Sequence, residues 1–186
     1  ATVGAVFLLG RRLFGAGVGL TAAFFLAVAP LHVRDSHYVK HDVPATLAIV
    51  AAYLAIVYAA SQANLGGRTR EILRAAAACG VAFSVHYYTV FLTLPLVLMI
   101  LLGSAGKGPT IISKRLMAAG VTSLLCFFLL SPFLLVEPLT AWRDITANRQ
   151  IVVDRAVEGT GTLFASSSYY LTALWRDTMG WPVVAL

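Results

Sequence analysis

Residues 45–60, Ala-Thr-Leu-Ala-Ile-Val-Ala-Ala-Tyr-Leu-Ala-Ile-Val-Tyr-Ala-Ala, carry no charged side chain. Runs of the same kind fill 17–29, 75–102 (interrupted by His86) and 116–135. A helix needs roughly 20 apolar residues to cross the ~30 Å hydrocarbon core of a bilayer, and these runs approach or exceed that length. With 59% hydrophobic and 12% charged residues, and a mean hydropathy of +0.83, the chain is too apolar for a soluble domain. It reads as an all-α integral membrane protein, a multi-span helical bundle over 1–136. Crossings are expected at about 1–9, 14–31, 44–60, 75–86, 88–103 and 116–135.

Ala1 lies inside an apolar run, and residues 179–186 read as the start of a further span that stops short. The chain therefore reads as a piece of a longer protein. The first ten residues lack a preceding basic region and a cleavage site, so they do not read as a signal peptide. Cys79 and Cys126 sit in apolar segments without metal-ligand spacing and are expected to be packing thiols.

Between two of the apolar runs lies a polar island, Pro30-Leu-His-Val-Arg-Asp-Ser-His-Tyr-Val-Lys-His-Asp-Val-Pro44. It holds seven titratable side chains besides Tyr38, and three of the four histidines in the chain. A solvated hairpin needs far fewer charges, so this density points to a functional cluster at a membrane boundary. Alternating the crossings puts Arg11, Arg12, Arg68, Arg70, Arg74, Lys107, Lys114 and Arg115 on one side, against Glu71 alone. The other side receives the island, His86 and a long polar segment over 137–178, with six basic and seven acidic residues in all. The positive-inside rule makes the first side cytoplasmic and turns every histidine outward.

Within 137–178, Leu139, Trp142, Ile145, Val152 and Ala156 follow helical spacing, with charges between them. An amphipathic helix in the interface is expected, broken at Gly159-Thr160-Gly161. Ser166–Ser168 would cap a further helix bearing Tyr169, Tyr170 and Trp175. Trp142 and Trp175 suit the headgroup belt.

Arg34, Lys40 and the histidines suit an anionic phosphate or pyrophosphate on a lipid carrier, through charge-assisted hydrogen bonds. Asp35 and Asp42 are able to bind a divalent metal, accept a proton or pair with the local cations. His37 and His41 would share a helix face and form part of a zinc site, although a third ligand is missing from the pattern. His86-Tyr87-Tyr88 forms a second outward polar point at the same expected level, and a lone histidine there also fits an interfacial anchor. No Gly-rich phosphate loop, nucleophile elbow or Cys/His metal box is present, and nothing supports nucleic-acid binding.

Leu9-Gly10-Arg11-Arg12-Leu13-Phe14-Gly15, the 30–44 island with its Asp42-Val43-Pro44, and Gly80-Val-Ala-Phe-Ser-Val-His86-Tyr-Tyr88 together resemble GT-C glycosyltransferases. The pattern is similar to the dolichyl-phosphate-mannose–protein mannosyltransferase family (glycosyltransferase family 39), which includes aminoarabinose-transferase-like bacterial enzymes. Many members carry Lys-Tyr where this chain has His86-Tyr87. The resemblance implies a GT-C-like bundle with an interfacial outer loop. It also implies inverting transfer of a sugar from a polyprenyl-phosphate donor to a protein, lipid or glycan acceptor, outside the cytoplasmic face. A bacterial or archaeal plasma membrane is expected ahead of an endoplasmic one.

The resemblance places the main base, an acidic residue of the first outer loop, upstream of residue 1. Asp42 corresponds to the second-loop acid, a supporting catalytic group with metal binding as an option. Arg34, Lys40 and His86 fall where basic groups approach the donor phosphate, with Asp35, His37, His41, Tyr87 and Tyr88 around them. Rival readings are a transporter or lipid flippase, which would place ionisable groups at mid-span, and a non-catalytic membrane subunit.

Overall fold

The computed structural model describes residues 1–38, 41–61, 69–104, 106 and 108–160. Among them all regular structure is helical. The expected helix around 166–175 and the span beginning at 179 lie outside the described residues, as do Lys40, Arg68 and Lys107. The chain divides into two compact units, Ala1–Leu26 with Val39–Ser131, and Ala27–Tyr38 with Pro132–Leu186.

In the first unit, helix α1 (Thr2–Phe14) turns at Gly15 into α2 (Ala16–Val28). Gly15 has φ +98°, a conformation that strains any residue with a Cβ. Gly10 and Gly19 then let the two helices cross closely: a Cβ on Gly10 would meet Gly19 Cα at 2.8 Å. Arg11 and Arg12, expected in a connection, form the last turn of α1, where cations suit the helix dipole.

Helix α4 (Asp42–Ser61) is a single rod of 20 residues, about 30 Å long. Helix α5 (Thr69–Val85) returns beside it, a 3₁₀ segment (Tyr87–Leu92) reverses the chain, and α6 (Thr93–Leu102) descends. Helix α7 (Pro109–Leu130) then rises parallel to α5, with Phe83 stacked on Phe127 at 4.4 Å. Pro109 opens α7 where its missing N–H has no partner to lose, so the helix takes in Lys114 and Arg115.

Helix α5 is the centre of this unit. Ile72, Ala75, Ala76, Cys79 and Ala82 are buried against Ala52, Ile56 and Ala59 of α4, Leu92 to Ile100 of the returning segment, and Ala119 of α7. Small side chains dominate because helices in lipid attract mainly by close contact of their backbones. The outer faces are apolar and exposed, among them Phe24, Phe91, Leu125 and Leu129. Helices α4 and α7 are long and apolar enough to cross a membrane, and α2 with α3 (Pro30–Ser36) makes a third if read as one broken span. The apolar run 116–135 is not one helix. Helix α7 stops at Leu130, and α8 (Phe133–Val136) follows Pro132 in the second unit.

The second unit also holds α3 and a long helix, α9 (Pro138–Thr160). Leu139, Trp142 and Ile145 on α9 are exposed and Ala141 is buried.

The crossing of α5 and α7 can be probed directly. A Cβ on Gly80 would strike the Ser123 carbonyl oxygen and sit 3.0 Å from Cys126 Cβ, whereas nothing lies within 4 Å of one on Gly120. Gly80→Ala should therefore destabilise the protein by about 1–3 kcal/mol from overpacking. Gly120→Ala should be neutral or stabilising by up to about 1 kcal/mol from helix propensity. Thermal unfolding in detergent, followed by circular dichroism, checks both.

Candidate functional site

At the start of α4, Asp42 occupies the first turn, where a carboxylate suits the positive end of the helix dipole. Thr46 Oγ1 donates to the Asp42 carbonyl at 2.8 Å and ties that turn together. His41 precedes it, with Nε2 3.6 Å from Asp42 Oδ1. Both side chains are at least half exposed, so this pair contributes little to stability in water and is open to a ligand.

Because α5 runs antiparallel to α4, its end brings His86 to the same place. The His86 and His41 rings lie 4.7 Å apart, and His86 also faces Tyr88 at 4.1 Å and Tyr87 at 4.8 Å. His86 itself has extended backbone (φ −155°, ψ 132°) between α5 and the 3₁₀ segment. Thr89 secures this break: its N–H and its Oγ1 both donate to the His86 carbonyl, at 3.1 and 2.9 Å. A threonine three residues past a break was a readable signal of that tie in the sequence. The fold thus gathers His41, Asp42, His86, Tyr87 and Tyr88 into one aromatic and polar cluster.

His86 Nδ1 is buried and has no hydrogen-bond partner among the described residues. An unpaired buried nitrogen costs about 1–3 kcal/mol whether it carries the ring hydrogen or accepts one, so Nδ1 is an unsatisfied polar atom in either neutral tautomer. Burial, reinforced by the neighbouring His41, pushes the His86 imidazole below the ordinary histidine range, against the opposing pull of Asp42. His86 is therefore a neutral single donor at pH 7.

Arg34, Asp35 and His37 belong to the second unit, on and just after α3. Asp35 is mostly covered and bonded to its neighbour, with Arg34 Nε donating to Oδ1 at 3.1 Å. That leaves the terminal amino groups of the guanidinium without a hydrogen bond among the described residues. His37 closes α3, its Nδ1 2.7 Å from the Val33 carbonyl, which fixes a donor hydrogen on that nitrogen. Lys40 lies outside the described residues. Among the described residues no group of three or more histidine, cysteine or carboxylate side chains is placed to hold a metal ion.

Residues 1–135 match the model of the dolichyl-phosphate-mannose–protein mannosyltransferase family. No curated protein and no solved structure matches the chain significantly.

The depressed pKa of His86 has a direct thermodynamic consequence. As pH falls from about 7 through the ordinary histidine value of 6.5, the unfolded chain takes up a proton that folded His86 refuses. Stability is thereby lost toward acid until the folded ring protonates. The melting temperature of the wild type should fall over this window, and His86→Asn should remove part of that fall. Differential scanning fluorimetry across the pH series measures it.

Proposed function

The chain belongs to the dolichyl-phosphate-mannose–protein mannosyltransferase family, a family of membrane glycosyltransferases, and we propose that it moves a sugar from a polyprenyl-phosphate carrier to an acceptor hydroxyl, with inversion. The observation that carries this reading is the His41–Asp42–His86–Tyr88 cluster at the end of a membrane-length helix. A hydrophobic carrier confined to the bilayer presents its phosphate at that depth. The surplus of basic residues at the opposite end of α4 supports an outward orientation of the cluster.

In the proposed reaction the acceptor oxygen bonds to the sugar C1 as the C1–O bond to phosphate breaks. The polyprenyl phosphate leaves with the electron pair, and a carboxylate takes the acceptor proton. The chemistry needs donors aimed at the leaving phosphate, where negative charge grows. Neutral His86 offers one ring N–H as a donor, and His41 supplies a second. The family resemblance, read along the sequence alone, assigns Arg34 to the donor phosphate as well. Asp42 acts as a supporting acid, orienting His41 and drawing the acceptor hydroxyl into line, with the main proton-accepting carboxylate contributed from outside these residues. Tyr87 and Tyr88 present flat, partly apolar faces to the sugar ring. His37 and Lys40 carry the remaining polar groups of the same stretch, and Asp35 holds the Arg34 side chain in place.

Asp42→Asn and Arg34→Ala should each lower kcat/KM for transfer from a purified polyprenyl-phosphate sugar by about 10²–10³-fold, the scale of losing one electrostatic contact to a transition state. Expression and melting temperature should stay near wild type. Undiminished turnover in both variants would remove the proposal. Movement of intact lipid-linked sugar across vesicles, with no cleavage, would replace it with a flippase.

A further inference from the structure

The end of α4 opposite Asp42 carries a second polar constellation that sugar transfer does not use. An open cleft of about 830 Å³ lies where α1, α4 and α5 meet, and its lining includes Arg11, Arg12, Arg74 and Glu71. Glu71 is buried, and Arg74 Nη1 donates to both of its carboxylate oxygens, at 2.8 and 2.9 Å. That pair is internally neutral. Arg11 and Arg12 have no carboxylate within 4 Å among the described residues, so the cleft keeps their positive charge.

Arg12 is also held in position. Its Nη2 donates to Ser61 Oγ at 2.6 Å, and its guanidinium lies over the Tyr58 ring at 5.2 Å. Stacking and one hydrogen bond orient the planar group and leave other N–H donors directed elsewhere. Above the arginines the wall turns apolar, with Leu8, Leu54 and Val57. A cationic floor below an apolar wall, at the end of a bilayer-length helix, complements a molecule with an anionic head and a hydrocarbon body.

We propose that this cleft binds an anionic glycerophospholipid of the surrounding bilayer, its phosphate on Arg11 and Arg12 and one acyl chain along Leu8, Leu54 and Val57. Charge complementarity selects the ligand: a zwitterionic lipid brings its own cation to a site that already holds two uncompensated ones. A basic pocket between membrane helices near the headgroup level is a recurrent way to hold such lipids. The phosphate position, level with Ser61, lies about 30 Å along α4 from Asp42, and Leu54 about 18 Å from it, so the phosphate position is separate from donor binding. Bound there, the lipid would brace α1 against α4 and α5.

The test uses the purified, delipidated protein in neutral detergent, with phosphatidylglycerol, phosphatidylcholine or glycerol phosphate added. Melting temperature and lipid adducts in native mass spectrometry are read together. Phosphatidylglycerol should raise the melting temperature and remain bound, and phosphatidylcholine should do neither. Arg11→Gln should weaken phosphatidylglycerol retention about tenfold, the loss of roughly 1.4 kcal/mol of binding. The Arg11 side chain touches a ring of its own helix, Phe7 at 6.0 Å, and hydrogen-bonds to no other element among the described residues, so this change preserves the fold. Lys114→Gln, which removes a charge outside the cleft lining, should retain lipid as the wild type does. Equal retention of the two lipids, no effect of Arg11→Gln, or an equal loss in Lys114→Gln would each overturn the proposal. Saturation by glycerol phosphate with the same thermal shift would overturn it too, reassigning the cleft to a soluble phosphate compound.

Discussion

The arrangement depends on how closely α5 can approach its two neighbours. Gly80 has no side chain to keep the Ser123 backbone away, and alanines at 75, 76 and 82 do the same along the rest of the helix. In a hydrocarbon setting there is little hydrophobic gain from hiding apolar surface between helices, so dispersion at short range must hold the bundle together. That proximity sets the height of α5 against α4. It is the height of α5 that carries His86 to His41.

Helix α4 then separates two environments. It is uncharged from Val43 to Ala60, with Asp42 at one end and Ser61 at the other. At the Asp42 end the fold collects imidazoles, phenols and a carboxylate with few fixed charges. At the Ser61 end it collects arginines, one of them neutralised by Glu71. The first set suits proton positioning and hydrogen bonding to a developing anion; the second suits static attraction of one. A chain that moves a sugar from a lipid carrier needs the former at the water boundary. The latter is the proposed seat of an anionic lipid.

Some of this was legible in the residues. The uncharged runs announced helices in lipid, and the crowding of His32 to Asp42 raised the expectation of a site, of which the described structure groups His41 and Asp42 with His86. The interruption at His86-Tyr87-Tyr88 marked a break, since the run around it exceeds one crossing. Other features were hidden for physical reasons. Arg11 and Arg12 looked like a loop, yet long arginine stems let them finish a helix with their guanidinium groups over Phe7 and Tyr58. The run at 116–135 looked continuous because Ser131 and Pro132 barely lower its hydropathy, although proline ends the helix there. The Arg34–Asp35 bond was also invisible, since adjacent helical residues do not share a face and only the flexible Arg34 side chain closes the gap.

From its residues alone the chain was bound to be helical, to lie in a membrane, and to keep its ionisable groups near the ends of its crossings, because the cost of placing charge in hydrocarbon admits little else. Which of those groups would touch was decided by the tertiary structure. His41 and His86 meet only because α4 and α5 run antiparallel at one register, and Arg12 meets Ser61 only because α1 ends level with α4. Hydropathy depends on what each residue is and is written along the chain. Register depends on the fit of one helix surface against another, which no single stretch of sequence contains.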